Sequence, residues 1–254
     1  MKVRFPQPPK GWTELRWEVG VVFVGIMLAL GAQQLADTLY WRAQAAHAKR
    51  NIEAELLQHE RDGYERLAVQ RCLRGQLAAL MGQLSTTDSN WKAMPMAINM
   101  IGLSPTVQAA RRVFPVAYRA PGRLWRDDAF ETARANGSLT YLPDEMVAHY
   151  AEIYSRGRGV FELQEREAGA AAQLSALAYD GKLDATARIG LMGSLSVIDD
   201  ANSRIETNVS QALNELRMAL RDIPRERRAA AVAERIKGQQ EFRGSCVLPH
   251  TFKP

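Results

Sequence analysis

The sequence predicts an all-α protein: an N-terminal transmembrane helix continuing into an antiparallel helical bundle with long helices. Three observations point there. Val19 to Ala32 (VGVVFVGIMLALGA) is an apolar run without a charge. Leu191, Leu195, Ile198, Asn202, Ile205, Val209, Ala212, Leu216 and Ala219 recur three and four apart, the coiled-coil-like spacing of a helix with one buried face. Aromatic residues make up only 7% of the chain, and no alternating β-branched run of any length occurs, which argues against strands.

The apolar run is the anchor. Fourteen helical residues span only about 21 Å, short of the ~30 Å hydrocarbon core, so the span must extend beyond them. Glu18 and Asp37 bracket 18 uncharged residues, with Trp12 and Trp17 before them and Tyr40 and Trp41 after. From Trp17 to Trp41 a helix covers about 36 Å, which puts the two aromatic groups near opposite interfaces. The membrane helix is therefore expected over 13–41, with Thr13 able to cap it. A cleavable signal peptide and a buried core helix are the rival readings. Glu14, Glu18 and two Trp in the leader speak against the first, and the paired aromatic flanks against the second. Gly25, Ala29, Ala32 and Ala36 place four small side chains on one face, where a second copy of the span could pack closely to form a homodimer.

Lys2, Arg4, Lys10 and Arg16 precede the span, and Arg42, Lys49 and Arg50 follow it within twenty residues. This bias favours a cytoplasmic N-terminus in a bacterial inner membrane, and a domain of about 210 residues can be exported regardless of its charge. The expected organisation is a disordered cytoplasmic tail over 1–12, rich in proline, then the span, a periplasmic helical bundle over 42–244 and an irregular tail over 245–254. The net charge of +5 is too mild for general nucleic-acid binding, and a tail this short leaves no room for a cytoplasmic signalling domain.

Cys72 and Cys246 are the only cysteines. In an oxidising compartment an even count invites a disulfide; two separate buried thiols are the other reading. Closing so long a loop would stabilise by about 4–5 kcal/mol in the chain-entropy model.

Beyond Trp41 the helix is expected to continue, with Ile52, Leu56, Leu67, Leu73, Leu77, Leu80 and Leu84 on its apolar side, until the polar run Ser85 to Asn90 ends it. Short helices are expected over 105–114 and from about Gly122 to Ala135, closed by Asn136-Gly137. A long helix follows Pro143 to about Tyr179, Asp180-Gly181 makes a turn, Asp184 caps the next helix, and a last one starts near Pro224. Asn202 sits in an apolar seam, so it should hydrogen-bond across helices.

Residues 91–126 are the best surface for a partner. No acid occurs between Asp88 and Asp127, whereas Trp91, Arg111, Arg112, Tyr118, Arg119, Arg123, Trp125 and Arg126 all do, and Arg and aromatic residues are those enriched at interfaces. The bland alternative is a basic cover paired with Asp127 and Asp128. Arg225, Arg227 and Arg228 read as a solvated face.

Chemistry is harder to find. Glu55 with His59 and Glu145 with His149 share helix faces four residues apart, one residue too long for the Glu-x-x-His spacing of a di-metal bundle, and solvated faces explain them. Met94, Met96 and Met100 could offer thioethers to Cu(I), though apolar packing is the commoner use. No phosphate loop, nucleophile elbow or triad spacing is visible, and neither a catalytic residue nor a cofactor is expected.

The order Trp17-Glu18, apolar run, Gly31-Ala32-Gln33-Gln34 and Tyr40-Trp41-Arg42, with Leu124-Trp125 and Gly137-Ser138-Leu139-Thr140-Tyr141-Leu142-Pro143 later, resembles a group of bacterial single-pass inner-membrane proteins of uncharacterised function. The resemblance implies an anchored helical domain and carries no chemistry. The expectation is a non-enzymatic envelope interaction or scaffold protein; a metal-binding or redox-active periplasmic bundle is the alternative.

Overall fold

The computed structural model describes residues 11–86, 89–96 and 116–248. Five helices carry the fold: α1 (Trp12–Leu84), α2 (Asp128–Ala135), α3 (Asp144–Gln173), α4 (Ala185–Ala219) and α5 (Arg225–Arg243). Two two-residue strands, β1 (Asn90–Trp91) and β2 (Gly181–Lys182), pair antiparallel beside a short 3-10 turn, Leu174–Ala178, that follows α3. The fold is all-α in substance.

Helix α1 is uninterrupted for 73 residues, about 110 Å. It starts at Trp12 behind Gly11, whose φ of 111° suits glycine, so the N-cap position falls on Gly11 and not on the expected Thr13. Gly63, Gly75 and Gly82 do not break it, because propensity costs of about 1 kcal/mol each are small against the packing of its apolar face. One stretch of this helix is long and apolar enough to cross a membrane, and no other described residue covers it. Val19, Val22, Phe23, Ile26, Met27 and Leu28 are all more than half exposed. Burial begins at Ala45 and continues through Ile52, Leu56, Leu73, Leu80 and Leu84.

The second half of α1 is the spine of the core. Helix α4 returns along it: Lys49 pairs with Asp222 just beyond α4, Gly63 packs on Val209 and Leu213, and Arg74 pairs with Glu206. Helix α5 follows α1 in its own direction, Glu60 holding Arg228, Asp62 holding Arg235 and Glu65 accepting from Gln239. Helix α3 lies against α4, where its Ile153 and Val160 join Ile205, Val209, Ala212 and Leu216 in the core. The Asp184 side chain caps α4 by accepting from Ala187 N at 2.7 Å, as its position before the helix predicts.

Three expectations need correction. No helix starts at Gly122; residues 116–127 run without regular structure and α2 begins only at Asp128. Burial along 121–126 alternates, Pro121 and Trp125 in and Gly122, Leu124 and Arg126 out, as an extended chain requires. The end of the chain is not wholly an irregular tail either: Gly244–Cys246 forms a 3-10 turn, Val247 is buried and Leu248 N reaches Ala68 O. Arg228 is not solvated, since it lies buried against Glu60 with Nε at 3.0 Å. A disulfide joins Cys72 to Cys246, with Cα atoms 5.3 Å apart, and fastens this end to α1.

Candidate functional site

The strap over 116–127 crosses α1 and α3 beside α5, and polar groups of α1 and α3 tie its backbone down. Gln76 Nε2 donates to Ala117 O at 3.0 Å, and Arg123 N donates to Gln164 Oε1 at 2.7 Å. Met96 N donates to Val116 O at 2.7 Å.

Of the surface residues expected from sequence, three turn inward. Trp91 is buried and donates its Nε1 to Leu177 O at 3.0 Å. Tyr118 is buried and donates to Glu167 Oε1 at 2.5 Å. Trp125 packs on the His59 ring, centroids 5.0 Å apart, and over Gly157. Tyr118 and Trp125 therefore anchor the strap, Trp91 holds β1 to the turn after α3, and none of the three is available to a partner. Arg111 and Arg112 lie outside the described residues. Arg119 and Arg126 face outward, Arg126 beside Asp128, while Arg123 grips Glu65 through Nε and Nη2 at 2.5 and 2.6 Å. That bidentate contact raises the pKa of the Arg123 guanidinium.

Under the strap, Arg66 of α1 donates to Glu167 of α3 at 2.8 Å and to Asn202 of α4 at 2.6 Å. Asn202 Nδ2 donates to the Tyr118 hydroxyl at 2.7 Å. Asn202 thus bonds across helices, as its place in the apolar seam predicts. Burial first, then the Glu167 charge, pushes the Tyr118 hydroxyl well above its usual range.

Beside this network opens a cleft of about 800 Å³ between α1, the strap and α5. Arg61, Arg119, Arg123, Arg235 and Arg243 line it, with Glu65 and Glu234 as its acids. Arg243 is only 8% exposed; its Nε donates to Gln239 Oε1 at 3.0 Å and its Nη1 to Met96 Sδ at 3.4 Å. Burial lowers its pKa to about 10; Tyr118 opposes this, the Arg66 and Arg119 cations add to it, and Glu65 opposes it more weakly. Sequence reasoning found Arg119 and Arg123 but missed Arg61, Arg235 and Arg243. The signal was present: Arg228, Arg235 and Arg243 fall on the α5 stripe that also holds Val232, Ile236 and Gln239, the stripe buried against α1.

A second cavity, about 550 Å³, lies between α1 and α2 and is lined by His47, Asn51, Glu55 and His59 among others. His59 is buried, contrary to its expected solvated face, because it is sandwiched by Trp125 and Tyr154. No well-formed hydrogen bond reaches either ring nitrogen among the described residues, and burial lowers its pKa to about 4 despite the nearby Arg126 backbone. Glu55 turns away from it to accept from Tyr154 at 2.8 Å and from Ala129 N at 3.1 Å. His149 lies between Glu145 and Glu215, and Met94 and Met96 pack on the core. Among the described residues no group of three or more His, Cys, Asp or Glu converges as a metal site would require. Gly25, Ala29, Ala32 and Ala36 share the uncovered face of the apolar span. No protein-family model, curated protein or solved structure matches this chain.

Proposed function

We propose that this protein is a non-enzymatic interaction module, anchored in the bacterial inner membrane by a single span and holding an antiparallel helical bundle in the periplasm. The observation that carries the reading is the continuity of α1. One unbroken helix is apolar and uncovered by any described residue over its first part and is the spine of a packed core over its second. An apolar surface of that size left bare in water would be a severe aggregation liability, whereas lipid covers it at no cost.

Two further observations support the reading. Trp41, where the uncovered part ends, stacks on Tyr141 with Tyr40 at its edge, an aromatic cluster of the kind that sits at head-group level. The Cys72–Cys246 disulfide suits an oxidising compartment. The partner would meet the outward residues of the strap, Arg119 and Arg126, together with the α5 wall of the arginine cleft. The resemblance to bacterial single-pass inner-membrane proteins agrees with this location. Close packing of the Gly25, Ala29, Ala32 and Ala36 face would allow a homodimer.

The test is crosslinking in native membranes followed by mass spectrometry of the captured complex. An alkaline-carbonate pellet should retain the protein, and one defined envelope partner should be captured. Arg119→Ser combined with Arg126→Ser should remove that partner while leaving the protein folded. Release into the soluble fraction would end the anchored reading, and undiminished capture by the double variant would end the assignment of the surface.

A further inference from the structure

We propose that the cleft between α1, the strap and α5 is a binding site for a dianionic oxyanion of phosphate type carried by a soluble ligand, gripped by Arg243, Arg119 and Arg61. This rests on the reading of the strap and α5 as the working face and names what that face recognises.

Arg243 carries the argument. The residue is more than nine-tenths buried, yet the contacts of its guanidinium are a neutral amide oxygen, a thioether and the Phe242 ring, with no carboxylate in hydrogen-bonding range among the described residues. Withdrawing a cation from water without a counter-ion is expensive, and folded proteins pair such groups. Arg61 has only Gln58 as a polar partner, and Arg119 has none among the described residues. The other two cations of the cleft are already matched, Arg123 by Glu65 and Arg235 by Asp62 at 3.1 Å. Glu234 is the remaining acid of the wall. Setting Glu65, Glu234 and Asp62 against the five arginines leaves a surplus of two positive charges, the complement of a dianion.

The 97–115 segment cannot supply the missing charge, since it contains no Asp or Glu and adds Arg111 and Arg112. Guanidinium forks match the oxygens of phosphate two at a time, so three of them converging on one cleft favour a tetrahedral dianion over a single carboxylate. A bilayer head group is the wrong source. Arg61 stands twenty helical residues beyond Trp41, about 30 Å along α1 from the aromatic cluster. The ligand therefore reaches the cleft from solution.

The experiment uses the full chain in phosphatidylcholine nanodiscs, titrated calorimetrically with inorganic phosphate and, separately, with acetate. Saturable one-site binding of phosphate is expected, weakened about tenfold or more by Arg119→Ser, lost in Arg243→Gln and unchanged by Arg204→Ser on the far face of α4. Thermal unfolding checks that each variant is folded; Arg119 is exposed, so its variant tests the site even if Arg243→Gln fails to fold. Absence of saturable binding, equal affinity in Arg119→Ser, or acetate binding as tightly as phosphate would each overturn the proposal. Nanodiscs containing phosphatidylglycerol should bind phosphate as tightly; blocked binding there would mean that a head group fills the site. Phosphate binding with no partner captured would sink the interaction reading alone. Partner capture without phosphate binding would sink this one alone.

Discussion

Asn202 Oδ1 accepts a hydrogen bond from Arg66 Nη2 at 2.6 Å in the interior of the domain, where neither residue meets solvent. Through Asn202 Nδ2 the contact passes to Tyr118 of the strap, and through Arg66 to Glu167 of α3, so four segments share one polar junction. Such a junction fixes the register of helices whose apolar faces alone would tolerate sliding by a turn.

Removing one member of the junction should therefore cost more than its contact is worth. Glu167→Ala leaves the Arg66 charge buried and unpaired and should destabilise the protein by about 3–5 kcal/mol in urea unfolding. Replacing both, Arg66→Met with Glu167→Leu, should restore most of that loss. A double variant no more stable than Glu167→Ala would show that the pair itself contributes the stability.

The buried His59 predicts a pH dependence. Its folded pKa of about 4 lies below the unfolded value of 6.5, so between these the unfolded chain binds the extra proton. The stability associated with neutral His59 is complete above about pH 6.5, falls as pH drops toward 4 and amounts to about 3 kcal/mol in all. Asp62, whose carboxyl is raised by burial, opposes this near the acid end, so the comparison to make is with His59→Leu. Unfolding midpoints at pH 7.5 and pH 5 should differ more for the parent than for the variant; identical shifts would mean that His59 is hydrated.

Two glycines should respond to alanine in opposite directions. A Cβ on Gly157 would come within 3.2 Å of the Trp125 ring, which is itself wedged against His59 and cannot retreat. Gly157→Ala should cost about 1–3 kcal/mol despite its gain in helix propensity. Gly75 has open space around its Cβ position, so Gly75→Ala should stabilise by up to about 1 kcal/mol. Thermal midpoints moving the same way for both would contradict the packing at Gly157.

Reduction of the Cys72–Cys246 disulfide releases a loop of 174 residues and should lower stability by about 4–5 kcal/mol. Unfolding curves with and without reductant measure this, with Cys72→Ser as the matching variant. Coincident curves would mean that the two thiols are not bonded in solution.

The sequence by itself determined the long helices. The apolar run, the seam of α4, the cap at Asp184, the helix start near Pro224 and the polar stop at Ser85 to Asn90 were all legible, because helical period, capping and chain breaking are local effects. It also marked Asn202 as needing a partner and the strap as basic. Only the tertiary structure decided which way the aromatic and arginine residues of this basic stretch point. Trp91, Tyr118 and Trp125 turn inward because helices distant in sequence offer them apolar walls and hydrogen-bond partners, leaving Arg119 and Arg126 outside. The arginine cleft is non-local for the same reason. Arg61, Arg119 and Arg243 stand far apart along the chain and meet because α5 packs beside α1 with the strap laid across both, and no local pattern encodes that juxtaposition.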